Sequence, residues 1–95
     1  MTKNNLRDII AEEYAEIEDV LFADGFDDAI IGFEPNLWKV VYSREKCIET
    51  LMQEGDSWED AVDYLEYNTF NAFVGDKTPL FVNELNFSNH LIQDY

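Results

Sequence analysis

From Asn5 to Ala23 the apolar positions Leu6, Ile9, Ile10, Ile17, Val20 and Leu21, together with Tyr14, recur at the spacing of one helical face. Glu12, Glu13, Glu16, Glu18 and Asp19 fall mainly between them, so an amphipathic helix is expected over about 5–23 with its carboxylates in water. Asn4 or Asn5 suits its cap, and Asp24-Gly25 its end. Two β-rich runs come next, Ala29–Phe33 and Leu37–Tyr42, and the Pro35-Asn36 pair between them predicts a hairpin. Ser43 is placed to cap a second helix reaching about Glu54, with Ile48, Leu51 and Met52 inward and Gly55 as terminator. Ser57-Trp58-Glu59-Asp60 resembles a capping box and opens a third helix, whose buried stripe would be Trp58, Ala61, Val62 and Leu65. A turn at Gly75–Pro79 leads to a short strand, Leu80–Val82, and the apolar Leu85, Phe87, Leu91 and Ile92 predict a docked tail over 83–95.

The order is α-β-β-α-α-β. It implies an α+β fold in one domain over 1–95, with about three antiparallel strands packed by helices. Ninety-five residues leave no room for a second core. Hydrophobic residues make up 46% and aromatics 15%, which separates this chain from a disordered acidic tail.

Charge changes the picture more than composition does. Six Lys and Arg face 21 Asp and Glu, a net charge of −15. Nucleic acid and anionic membrane are therefore excluded as direct partners, and basic proteins become the expected ones. A single cysteine, Cys47, permits no intrachain disulfide and suits a reducing compartment. No apolar run approaches the roughly 20 residues of a membrane span, and no signal-peptide pattern opens the chain. The expectation is a soluble protein of the cytoplasm.

The blocks "YSREKCIETLM", "SWEDAVDYLEYN" and "VGDKTPLFV", with "IIGF" ahead of them, resemble a family of short proteins encoded by phages and some bacteria. The likeness spans the family-like core at about 29–82. It implies a small accessory gene acting in a host cell, and it brings no enzymatic activity and no catalytic residue.

Reaction chemistry finds little support in the pattern. Glu12, Glu13 and Glu16 resemble the first half of the metal site of helical nucleoside-triphosphate pyrophosphatases, but the matching Glu-x-x-Asp one helix later is missing. "ADGFDD" lacks the alternating oxygen ligands and closing glutamate of a calcium loop. Asp60, Asp63 and Glu66 are spaced as solvent-facing residues, without the contrasting environments that acid–base work needs. His90 is the sole histidine, and Cys47 beside Ile48 reads as a small core residue. No glycine-rich phosphate loop occurs. Neither a metal nor a cofactor is expected.

Aromatics crowd the third helix and the residues just after it: Trp58, Tyr64, Tyr67, Phe70 and Phe73. Most belong to a core, yet Tyr64 and Tyr67 fall off the apolar stripe, among Asp60, Asp63 and Glu66. Tyrosines set among carboxylates on a surface suit protein recognition.

The expected function is thus non-enzymatic: an acidic accessory protein that inhibits or modulates a basic host protein. In the sharpest form the target is a nuclease or other DNA-binding enzyme and the carboxylates imitate DNA. Phosphates succeed one another about every 3.4 Å along a strand, and turns of a helix about every 5.4 Å, so two acidic helices side by side would approximate that lattice. The contact residues expected are Glu12, Glu13, Glu16, Asp19, Asp24, Asp27 and Asp28, then Glu59, Asp60, Asp63, Tyr64, Glu66 and Tyr67. A homo-oligomeric module is the alternative, and a metal-dependent nucleotide hydrolase the remote one.

Overall fold

The computed structural model describes residues 5–85. At its centre lies β2 (Lys39–Ser43), paired on one side with β1 (Ile30–Glu34) and on the other with β3 (Leu80–Val82). The β1–β2 hairpin is antiparallel, running from Ile30 opposite Tyr42 to Glu34 opposite Lys39, with an irregularity between Ile30 and Gly32. Glu34 organises the turn: its Oε1 accepts from the Asn36 and Leu37 amides at 2.9 and 2.8 Å, and its carbonyl accepts from Trp38 at 2.8 Å. Trp38 takes the left-handed φ of 62° that this short reversal demands.

β3 runs parallel to β2, with Val41, Tyr42 and Ser43 opposite Leu80, Phe81 and Val82. The sheet is therefore mixed, and the expectation of an antiparallel sheet is corrected. Two helices fill the connection: α2 (Arg44–Gln53) and α3 (Trp58–Asn68). Such a crossover lets the chain re-enter the sheet in the direction of β2. The α+β class stands, with three helices longer than one turn and three strands among the described residues.

Both crossover helices start where their serines predict. Ser43 Oγ accepts from the Lys46 amide and Ser57 Oγ from that of Asp60, each at 3.1 Å. Such caps satisfy one of the orphan donors at a helix start and contribute about 1 kcal/mol each. Gly55, at φ 117°, ends the α2 segment in a conformation that favours glycine. Two inward assignments fail. Met52 is exposed, because Cys47, Ile48 and Leu51 already occupy the core-facing stripe of α2. Trp58 is 57% exposed: it is the first residue of α3, and the buried contacts come from Leu65 and the small Ala61.

The N-terminal region departs furthest from expectation. α1 covers only Leu6–Glu13, capped by Asn5 Oδ1 accepting from the Arg7 amide. Turns occupy 14–17, and 19–23 has no helix. Acidic residues load the end of α1 and no basic residue stands in its last turn, which opposes the partial negative charge of a helix C-terminus. Beyond it, Val20, Phe22 and Ala23 all pack against the core, which a helical stripe containing Val20 and Leu21 would not allow. Two hydrogen bonds hold this course: Trp38 Nε1 donates to the Glu18 carbonyl at 3.2 Å, and the Ala23 amide to the Tyr42 hydroxyl at 2.6 Å. Asp27–Ala29 then forms a 3₁₀ turn where the sequence pattern starts the strand at Ala29.

The core gathers Ile10, Phe26, Ala29, Ile30, Val40, Tyr42, Cys47 and Leu65. Each large apolar side chain buried there contributes roughly 1.5–3 kcal/mol of transfer free energy. Aromatics close the sheet at both ends. Tyr14 stacks on Phe33 at 4.1 Å with Trp38 edge-on to both, while Phe81 lies 5.2 Å from Tyr42 and 5.2 Å from Phe70. The docked tail expected over 83–95 falls outside the described residues from 86 onward; within them, Leu85 is exposed.

Candidate functional site

All thirteen expected contact residues are solvent-exposed, but they do not form one lattice. Glu12 and Glu13 end α1, while Glu16 and Asp19 lie beyond it. Asp24, Asp27 and Asp28 belong to the loop and 3₁₀ turn. Glu59, Asp60, Asp63, Tyr64, Glu66 and Tyr67 project from α3. The principal packing joins α1 to β1 and α3 to α2, not the two expected acidic helices to each other.

Among the described residues three surface ion pairs are formed: Arg7 with Asp27 at 3.5 Å, Arg44 with Glu66 at 2.8 Å, and Lys77 with Glu18 at 2.7 Å. Exposed pairs of this kind contribute little stability. Their consequence is local: Asp27 and Glu66 already face a cation, so they offer less to a partner. Arg7 also lies over the Phe22 ring at 4.4 Å and Arg44 over Phe70 at 4.2 Å.

Elsewhere the negative potential is met by concave surface. A groove of about 280 Å³ lies between the 21–26 loop, the end of α3 and the approach to β3; its apolar wall includes Leu21, Phe22, Ala72, Val74, Pro79 and Phe81. Beside it, a depression of about 370 Å³ is lined by Asp24, Glu54 and Asp56, with Gly25 and Leu51. Asp24, Phe26 and Tyr64 form a wall common to both. A third depression, about 330 Å³, shares Gly25 with the second and is lined by Asp27 and Asp28 with Asn5 and Thr50. Among the described residues no Lys or Arg lines any of the three.

Gly25 makes this arrangement sterically open. Its φ of 89° turns the chain between Asp24 and Phe26, and it adds no side chain between the two acidic depressions. Phe26 goes into the core while Asp24 stays in water. From the other side, Gly55 turns the α2–α3 connection so that Glu54 and Asp56 line the same depression. Sequence reasoning anticipated Asp24 and Tyr64 but missed Glu54 and Asp56. Their signal was the acid-Gly-acid run at 54–56, whose spatial neighbours a sequence does not reveal.

Reaction chemistry gains nothing from the geometry. Among the described residues no group of three or more His, Cys, Asp or Glu is placed to hold a metal ion. Glu12 and Glu13 lie on α1 but Glu16 does not, so the four-residue spacing no longer puts two acids on one helical face. Cys47 is buried, and that burial pushes its thiol up to about 12, away from the reactive thiolate. His90 lies outside the described residues. No protein-family model, curated protein or solved structure matches this chain.

Proposed function

We propose that this chain is a non-enzymatic acidic binding protein that docks on a basic protein surface and thereby inhibits or modulates its owner. The observation supporting it is the depression of Asp24, Glu54 and Asp56 beside the half-exposed Tyr64, with no Lys or Arg among the described residues of its lining. Carboxylates held on a folded body keep their field outward and steer a cationic partner during encounter, so association slows as salt rises. In the sharper form the partner is a DNA-binding enzyme of a bacterial host, and the acids stand where phosphates would. The 21–28 loop and the α2–α3 turn, not two parallel helices, would then supply the charges.

A homo-oligomeric role is the second reading. It is favoured by Tyr67 at 87% exposure and Phe73 at 78%, large apolar surfaces that a copy of the chain could cover.

Affinity capture from bacterial lysate, then elution with salt and separately with duplex DNA, tests the first reading. A DNA-binding enzyme released by both is the expected result, with capture lost in the triple variant Asp24→Asn, Glu54→Gln, Asp56→Asn. Light scattering that gives a stable dimer, with capture unchanged by the triple variant, would overturn it.

A further inference from the structure

The three depressions form a track with a direction. Its first member is apolar, the second carries Asp24, Glu54 and Asp56, and the third carries Asp27 and Asp28. Neighbours share their walls, through Tyr64, Phe26 and Asp24 at the first junction and Gly25 at the second. At about 280 Å³ the apolar groove falls just below the roughly 300–1,000 Å³ of pockets that enclose drug-sized ligands. It suits an inserted side chain better than a whole metabolite.

We propose that this track binds an extended peptide segment of a partner protein, one leucine-like side chain seated in the groove and the next two side chains cationic. The proposal rests on the basic-partner reading above and names what that partner presents. Charge complementarity selects the occupant: the second depression offers Asp24, Glu54 and Asp56 with no described Lys or Arg in its lining, and the third offers Asp28 beside Asp27, which Arg7 already pairs. Arg7 already displays the same chemistry at the track's edge. Its guanidinium lies over Phe22, a wall of the groove, and pairs with Asp27, a wall of the third depression. Arginine in the incoming segment is therefore the better cation, since it pairs with a carboxylate and lies flat on an aromatic ring in one placement. Tyr64 is the anchor between the halves: it is half-exposed, stands on α3, and lines both the apolar groove and the acidic depression.

The test uses the full chain and three fluorescein-labelled peptides on a glycine-serine background. One carries a leucine ahead of two arginines, one the arginines alone, one the leucine alone. Fluorescence anisotropy at low and moderate salt should show the complete peptide binding about tenfold or more tighter than either half. Tyr64→Ala should cost the complete peptide about tenfold. Asp24→Asn with Asp56→Asn should flatten its salt dependence, and Val74→Ser should reduce its advantage over the arginine-only peptide. Circular dichroism of each variant establishes that the fold is retained, and Tyr64→Phe should recover most of the lost affinity.

Equal binding of the complete and arginine-only peptides would overturn the track while leaving the basic-partner reading in place, because that pattern is diffuse electrostatics. Failure of all three peptides to bind, together with failure to capture a basic protein, would remove both. Tighter binding of the leucine-only peptide would assign the groove to an apolar ligand and overturn the proposal. Self-association protecting Tyr64 in the free chain, or cross-peaks from its ring to residues 86–95, would give the groove another occupant and overturn it equally.

Discussion

Residues 14–28 and the α2–α3 pair are both rich in acids, yet their backbones behave differently. In the crossover pair each helix opens with a serine cap and carries acids in its first turn, Glu45 in α2 and Glu59 and Asp60 in α3, although Glu66 stands in the last turn of α3 as well. Negative charge in a first turn meets the positive end of the helix dipole and supports the helix. In the N-terminal region the acids accumulate at and beyond the end of α1, where the same charge opposes it. What separates the two regions is packing: α2 and α3 bury Cys47, Ala61 and Leu65, whereas beyond α1 the chain docks through Val20, Phe22 and Ala23 without helix. The difference extends to surface shape. The acids of α3 stand on a regular surface, whereas Asp24 lies on an irregular loop folded against the α2–α3 turn, where concave surface forms.

The largest effect should come from cutting into the packing that holds the crossover pair to the sheet. Leu65 is completely buried on α3 within the core cluster, so Leu65→Ala should cost about 2–5 kcal/mol. Ile17, on the irregular side, is 73% exposed, and Ile17→Ala should stay within about 0.5 kcal/mol. Urea denaturation of both variants checks the contrast. Comparable losses would mean that 14–28 is as deeply integrated as α3, and the comparison would fail.

A smaller effect should come from cutting the link between the two regions. The Tyr42 hydroxyl accepts the Ala23 amide at 2.6 Å, and Tyr42→Phe leaves that half-buried donor without its partner. A loss of about 1–3 kcal/mol is expected, with faster amide exchange at Ala23 than in α3. The alkaline limb sharpens the same point. Burial raises Tyr42 from 10.0 to about 12 and Cys47 from 9.0 to about 12. The unfolded chain thus releases these protons first, so their stabilisation is complete below pH 9 and is lost progressively as pH climbs to about 12. Tyr42→Phe should remove one of the two contributions and make the decline shallower, measured by urea midpoints at pH 8 to 11.

Elements closed by local hydrogen bonds were legible from the sequence: Ser43 to Lys46, Ser57 to Asp60, Glu34 around the hairpin. The parts that escaped it depend on distant partners. The end of α1 answers to docking of Val20, Phe22 and Ala23 on the core, and parallel pairing of β3 to the path by which two helices return the chain. The same division holds for the candidate site. Tyr64 was visible as an aromatic off the stripe of α3, but Asp24 meets Glu54 and Asp56 only because two glycine turns converge, and residues far apart in sequence carry no spacing signal for that.

The smallest effect tests which of the two causes ends α1. Glu13→Lys exchanges an acid for a base in the last turn and should stabilise the chain by about 0.3–1 kcal/mol through the helix dipole. If unfavourable charge were the deciding cause, the helix would also lengthen into 14–18 and ellipticity at 222 nm would deepen. Docking makes the opposite demand, since the Glu18 carbonyl is held by Trp38 and the Ala23 amide by Tyr42. Lengthening α1 would pull on both and draw Phe22 away from the core. A stability gain with unchanged helix content is therefore expected, because a few tenths of a kcal/mol at the dipole does not offset losing both hydrogen bonds together with the packing of the partly buried Phe22.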